Sequence, residues 1–219
     1  MHIFDLSQPL SDGCPNCPVH PPVKLPRIAD HPADGWRMEV FQMASHTGTH
    51  LDAPLHKLAG GRSIDAYPLD AFVGPATVAD FTHLDADHPI GAADLEQALG
   101  GAELEGAIVL LNTGWGHKRA KTDEWHYHSP FLAPDGAEWL VSRKVKGIGI
   151  DHYSIGGSRD PDNTRTHEIV LGAGVWVVED LCFRDGWREA AAGAIFQALP
   201  LLLPGFSGSP CRAVLVQAS

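Results

Sequence analysis

The chain has 219 residues, enough to bury a sizeable core without disulfide or metal staples. Hydrophobic residues make up 44% and charged residues 20%, the balance of a globular protein and not of a disordered one. Sixteen Lys and Arg face 27 Asp and Glu, for a net charge of -11, which argues against nucleic acid or an anionic membrane surface as partner. The length suits one domain spanning residues 1–219. Met1-His2-Ile3-Phe4-Asp5 has no basic n-region of a signal peptide. No run approaches the roughly 18 apolar residues of a membrane span. Without a signal, the four cysteines read as thiols, and a soluble cytoplasmic protein is expected.

Ile3-Phe4-Asp5-Leu6 reads as a first short strand. Pro15, Pro18, Pro21, Pro22 and Pro26 then make residues 12–26 an irregular arm or lid. The arm holds Cys14-Pro15-Asn16-Cys17. A redox CxxC needs a helix after it, which Pro18, Pro21 and Pro22 forbid, and a zinc ribbon needs a second CxxC, so two ordinary thiols are expected. Residues 37–45 partly alternate and read as a strand. That strand delivers the chain to His46-Thr47-Gly48-Thr49-His50-Leu51-Asp52-Ala53-Pro54-Leu55-His56. Three imidazoles and a carboxylate within so short a stretch are the donors zinc and manganese take. Gly48, two threonines and Pro54 argue against a helix, and in extended backbone His50 and Asp52 point the same way.

Gly60-Gly61-Arg62-Ser63 reads as a turn, residues 75–82 as a strand, and Ala92 to Leu99 as a short helix with Asp94 and Glu96 early in it. Ala107-Ile108-Val109-Leu110-Leu111 has the continuous apolar character of a buried strand, and residues 112–116 form the loop after it. His117, His126 and His128 fall in a stretch expected to be surface loop. Pro134 opens a helix to about Lys144, and Val145 to Ile150 is a strand. Asp151 and His152 after it either face a pocket or cap the strand end. Asn163 to Leu171 is a helix, with Asp162 or Asn163 as cap and Gly172 or Gly174 as stop, and it carries His167. Residues 175–180 form a strand ending in Glu179 and Asp180, and two apolar strands at 193–203 and 211–217 follow. Interspersed strands and helices favour one α/β or α+β domain with a mixed sheet. If two metals are present, a second set of ligands has to come from outside the central stretch, and His167 and Glu179 are the candidates.

The stretch from His46 to His56 resembles the HxGTHxDxPxH motif of the cyclase family of metal-dependent hydrolases, which includes bacterial kynurenine formamidase and isatin hydrolase. Weaker likenesses are Asp5-Leu6-Ser7-Gln8-Pro9-Leu10, Leu111-Asn112-Thr113-Gly114-Trp115, Gly149-Ile150-Asp151, His167 with Glu179, and Gly208-Ser209-Pro210-Cys211-Arg212-Ala213-Val214. The resemblance implies an α/β fold of the swivelling β/β/α type and a homodimer or homotetramer. It also implies two divalent ions, zinc or manganese. His46, His50 and Asp52 would hold the first and His167 the second, with Asp52 and Glu179 bridging. His56 would donate and accept protons, or serve the second metal. It further implies hydrolysis of an amide or cyclic amide C–N bond.

One departure matters. Pro15-Asn16-Cys17-Pro18 aligns with the arm in which formamidases carry a substrate-stacking tryptophan, so Cys17 stands at the substrate and N-formylkynurenine becomes a poor candidate. Two other readings fit part of the pattern. His50, Asp52 and His167 match the two-His-one-carboxylate triad of an iron oxygenase, and the same donors suit a catalytically idle metal-binding protein.

Overall fold

The computed structural model describes residues 1–217. Its strands are β1 (His2–Asp5), β2 (Arg27–Ala29), β3 (Met38–Glu39), β4 (His50–Asp52), β5 (Val73–Asp80), β6 (Pro89–Ile90), β7 (Ile108–Asn112), β8 (Phe131–Leu132), β9 (Gly147–Ile150), β10 (Trp176–Glu179), β11 (Ile195–Pro200) and β12 (Gly208–Gln217). Its helices are α1 (Ala92–Leu99), α2 (Asp123–Tyr127), α3 (Pro134–Ser142), α4 (Asp162–Gly172) and α5 (Trp187–Ala191). The main sheet runs β1-β12-β11-β5-β7-β9-β10-β4, and β4 also pairs with β12, which closes the sheet into a barrel-like ring. The strands from β5 through β7 and β9 to β10 are parallel, and the remaining pairings of this sheet are antiparallel. The fold is α/β with a mixed sheet.

Period-two alternation sorts the strand residues between two cores. Ile108 and Leu110 of β7 point into the ring with Leu51, Phe72, Trp176, Val178, Phe196 and Leu215. Val109 and Leu111 point outward, under the layer of α1, α3 and α4, with Ile148, Ile150, Leu140 and Val170. Because both faces are covered, every residue of β7 is buried, as its unbroken apolar run requires. On β9 the inward positions are Gly147 and Gly149. A Cβ on Gly147 would lie 2.4 Å from the Trp176 ring, and one on Gly149 would lie 2.7 Å from Leu110 Cδ2. The two glycines make room for the large side chains of the neighbouring strands.

Most elements fall where the sequence places them, and four do not. The strand expected over residues 37–45 shrinks to Met38–Glu39, with one further bridge from Gln42 to Lys24. Val40 and Phe41 stay exposed because this hairpin lies outside the main sheet and has no core face to bury them. The stretch from 117 to 130 is not all surface loop: it holds α2, and Trp125 is fully buried. α4 begins after Pro161 without a side-chain cap from Asp162 or Asn163. Instead Asp160 accepts the Thr164 N–H and hydroxyl. The strand expected over 193–203 ends at Pro200, which lacks an N–H for further pairing.

Candidate metal centre

Sheet register assembles the centre. β4 is antiparallel to β10, so Glu179 lies opposite His50 and Val177 opposite Asp52. His50 and Asp52 are two apart on one strand and share a face with Glu179. Leu51 and Val178, the pair between them, turn into the ring core. α4 packs over β10 and adds His167, itself buried.

The nitrogen and oxygen atoms meet at a telling spacing. His50 Nε2 is 3.3 Å from Asp52 Oδ1 and 3.4 Å from Glu179 Oε2. His167 Nε2 is 3.4 Å from Glu179 Oε1 and 3.9 Å from Asp52 Oδ2. Bonds near 2.0–2.1 Å to a tetrahedral ion put neighbouring donors about 3.4 Å apart. Each carboxylate thus turns one oxygen to His50 and the other to His167. His50, Asp52 and Glu179 form one triad able to hold an ion, and His46, Asp52 and His56 form another.

The imidazoles are oriented from behind. His50 Nδ1 donates to Gly48 O at 2.7 Å, and His167 Nδ1 donates to Asn163 O at 2.7 Å. A carbonyl can only accept, so each Nδ1 carries a proton and each Nε2 is turned to the centre. His46 differs. Its Nδ1 is 2.6 Å from Asp52 Oδ1, a hydrogen-bond length, and its Nε2 meets Ser207 Oγ at 2.8 Å. Gly208 makes space for that ring, since a Cβ there would lie 2.5 Å from His46 Cε1.

The donor set fits divalent ions. Asp52 is fully buried, yet its Oδ2 has no hydrogen-bond partner. A buried carboxylate oxygen without a donor is costly unless a cation meets it. The protons tell the same story. Burial alone would discharge His50, yet the Asp52 and Glu179 carboxylates hold its pKa well above the usual value. Burial alone would raise Asp52, yet the His46 and His50 rings hold it well below the usual range. The pocket therefore calls for positive charge at the point where the oxygens converge.

His56 ends a single 3₁₀ turn, Pro54–His56, and its ring centroid lies 4.0 Å from that of His46 and 5.8 Å from that of His167. The centre opens into a cavity of about 340 Å³ lined by His46, His50, His56, His167 and Glu179 on one side and by Cys17 and His20 of the arm on the other. Cys17 thus lines the cavity, and all four cysteines are free thiols. His117, His126 and His128 do not line the cavity. Asp151 is not a pocket residue either: it accepts from Thr113 N, Thr113 Oγ1 and Gly116 N and fixes the loop after β7. His152 is buried between Ser129 Oγ and Trp125 O. Sequence reasoning missed His20, Lys57, Tyr127, Tyr153 and Asn163 as cavity residues. No motif announces them, because they arrive from the arm, from loops and from the ends of α2 and α4, and tertiary packing sets them together.

Residues 4–156 match the model of the Cyclase family, described as "Putative cyclase". The chain belongs to this family. The matched cyclase segment includes His46 to His56 and stops before His167 and Glu179, which the fold brings in. Among solved structures, the chain is similar to isatin hydrolase A from Ralstonia solanacearum, with 28% identity, a TM-score of 0.85, and 99% of this chain and 92% of that one covered. It is also similar to a potential metal-dependent hydrolase with cyclase activity, with 30% identity, a TM-score of 0.77, and coverage of 98% and 96%. An isatin hydrolase bound to the product analogue thioisatinate shares the cyclase fold at 23% identity, with a TM-score of 0.87 and coverage of 99% and 93%. For an iron oxygenase the donor set is too rich: His50, Asp52 and His167 are joined by Glu179, which would occupy positions that oxygen needs.

Proposed function

We propose that this cyclase-family protein, a metal-dependent hydrolase, cleaves the C–N bond of a small amide or cyclic amide. The observation that carries the reading is the pair of carboxylates, Asp52 and Glu179, each facing both His50 and His167, with Glu179 and the two imidazoles on the wall of a cavity of about 340 Å³. That volume suits a small molecule. His46, His50 and Asp52 would hold one divalent ion and His167 a second, with Asp52 and Glu179 shared. When bound, such ions polarise a carbonyl and acidify water. Zinc and manganese both accept this mixture of imidazole and carboxylate.

The chain's own residues supply the rest. Burial pushes His56 down to about 4, so its ring is neutral at neutral pH. A neutral imidazole takes the proton from attacking water and returns it to the departing nitrogen, which leaves as an amine. The buried walls around His50 and His167 exclude bulk water and keep the charges strong. At the opposite wall Cys17 offers a small surface where a flat aromatic partner would favour an aryl formamide, so N-formylkynurenine is a poor substrate. The oligomer is a homodimer or homotetramer in this reading, and the protein works in the cytoplasm.

The test is a hydrolysis screen of formanilides, isatin, lactams and small cyclic imides, using metal-free protein reloaded with zinc or with manganese. Turnover of at least one C–N substrate that depends on added metal is expected. Metal-dependent hydrolysis confined to esters and lactones would refute the assignment, as would high efficiency on N-formylkynurenine for the reading of Cys17.

A further inference from the structure

Arg119 lies on the loop after β7, far in sequence from every residue of the centre, yet its side chain is only 7% exposed. Its Nε donates to Asp180 Oδ2 at 2.9 Å, its Nη1 to Pro9 O at 3.2 Å and its Nη2 to Pro15 O at 2.7 Å. One planar guanidinium thus joins three segments. Pro9 and Pro15 bracket the start of the proline-rich arm, and Asp180 follows Glu179 directly. Asp180 takes φ +55°, and its backbone carbonyl accepts from Thr49 Oγ1 at 2.6 Å. Thr49, inside the histidine motif, in turn accepts from Gln8 N at 2.8 Å. Two residues beyond Pro15 the arm reaches Cys17, and with Pro18, Val19 and His20 it forms the cavity wall facing the centre.

Elsewhere the arm is held by the buried side chains of Cys14 and Val23. It contains no helix, and the β2–β3 hairpin that follows it stands outside the main sheet. Val19 is 86% exposed and so packs against almost nothing. We propose that Arg119 is a positioning residue for substrate selection: it clamps the arm to the strand end that carries Glu179, and so fixes the wall formed by Cys17 to His20. The inference rests on the hydrolase reading for its kinetic consequence and on geometry alone for the clamp. Arg119 lines neither the cavity nor the His/carboxylate centre, so losing the clamp weakens substrate capture more than the chemical step. A charge-assisted hydrogen bond to each of two arm carbonyls makes the closed wall about tenfold more populated, and apparent affinity falls by the fraction lost.

Arg119→Lys separates the clamp from the ion pair. One ammonium can still meet Asp180, but it cannot also reach both Pro9 O and Pro15 O. The double variant Arg119→Met with Asp180→Asn removes the clamp without leaving a buried carboxylate unpaired. Metal-loaded proteins are compared in two ways: steady-state kinetics on the best substrate of the screen, and the rate at which a disulfide reagent labels Cys17, located by mass spectrometry. For both variants KM rises about tenfold with kcat within about twofold. Cys17 labels about tenfold faster, and metal content stays at the wild-type level. Unchanged Cys17 labelling in the folded variants overturns the clamp, even if the screen finds no substrate and the hydrolase reading fails separately. Faster labelling with KM unchanged overturns the role in substrate selection. A fall in kcat together with metal loss, or failure of both variants to fold, also overturns it, because Arg119 would then be part of the frame.

Discussion

Asp52→Asn is the sharpest probe of the centre. The amide has the shape of the carboxylate, so the fully buried site keeps its volume and His46 Nδ1 keeps an oxygen within hydrogen-bond reach. The charge and one lone-pair oxygen are lost together. Asp52 faces His50 at 3.3 Å through one oxygen and His167 at 3.9 Å through the other, so a single substitution impairs both ion positions. In the wild type, free metal at about a thousand times Kd adds about 4 kcal/mol to stability. For a chain of this size each kcal/mol moves Tm by about 2–4 °C, which predicts a rise of about 8–16 °C. A roughly thousandfold loss of affinity in the variant would leave about 0.4 kcal/mol, a shift of about 1 °C. Differential scanning fluorimetry of metal-stripped protein, titrated with zinc or manganese, measures the difference, and elemental analysis gives the stoichiometry. A variant that keeps the full metal-dependent rise would refute Asp52 as a shared ligand.

Three further outcomes follow from the same geometry. His56→Gln should keep its metal and lose about 10²–10⁴-fold in kcat, as read by metal analysis beside turnover, if His56 moves the proton; loss of metal in step with activity would make it a ligand instead. Cys17→Trp should fold, since Cys17 lies at a cavity wall and not in a core, and it should raise kcat/KM for formanilides relative to isatin; an unfolded variant, or an unchanged ratio, would contradict the reading of that wall. Gly149→Ala should cost about 1–3 kcal/mol by overpacking, because its Cβ would lie 2.7 Å from Leu110 Cδ2 and 2.8 Å from Val178 Cγ1, and a melting curve like that of the wild type would show that the ring core yields.

What the sequence disclosed and what it withheld divide along physical lines. Local chemistry was legible. The Pro134 helix start, the apolar run of β7, and the His50–Asp52 pair on extended backbone depend on neighbours in the chain, and each appears as expected. The α/β class with a mixed sheet was legible from the alternation of elements. His167 and Glu179 could be nominated from residue type, but only the Glu179–His50 register and the packing of α4 on β10 bring Glu179 within 3.4 Å of both His50 and His167. Residues 37–45 misled because their alternation has the period of a strand without a buried face to reward it. Trp125 was hidden for the opposite reason. It sits in a polar, histidine-rich stretch whose look is that of a surface loop, yet it is buried against Tyr153 and His152 from a segment far along the chain.

The placement of the centre follows from how the sheet closes. β4 is the short strand that completes the ring, held by β10 on one side and by β12 on the other. The histidine motif is the chain's own closing seam, and its donors are set from both flanks. β10 supplies Glu179 opposite His50, while Ser207 and Gly208, at the start of β12, seat the ring of His46. A site on one edge strand would loosen with every fluctuation of that edge. Here a shift of β4 by one residue would turn His50 and Asp52 into the apolar ring core and Leu51 out toward Glu179. Two charged or polar groups would then be buried without partners, a cost of several kcal/mol. The cost of that slip falls on the fold and on the centre at once, so the burial that closes the ring also keeps the donors at coordination distance.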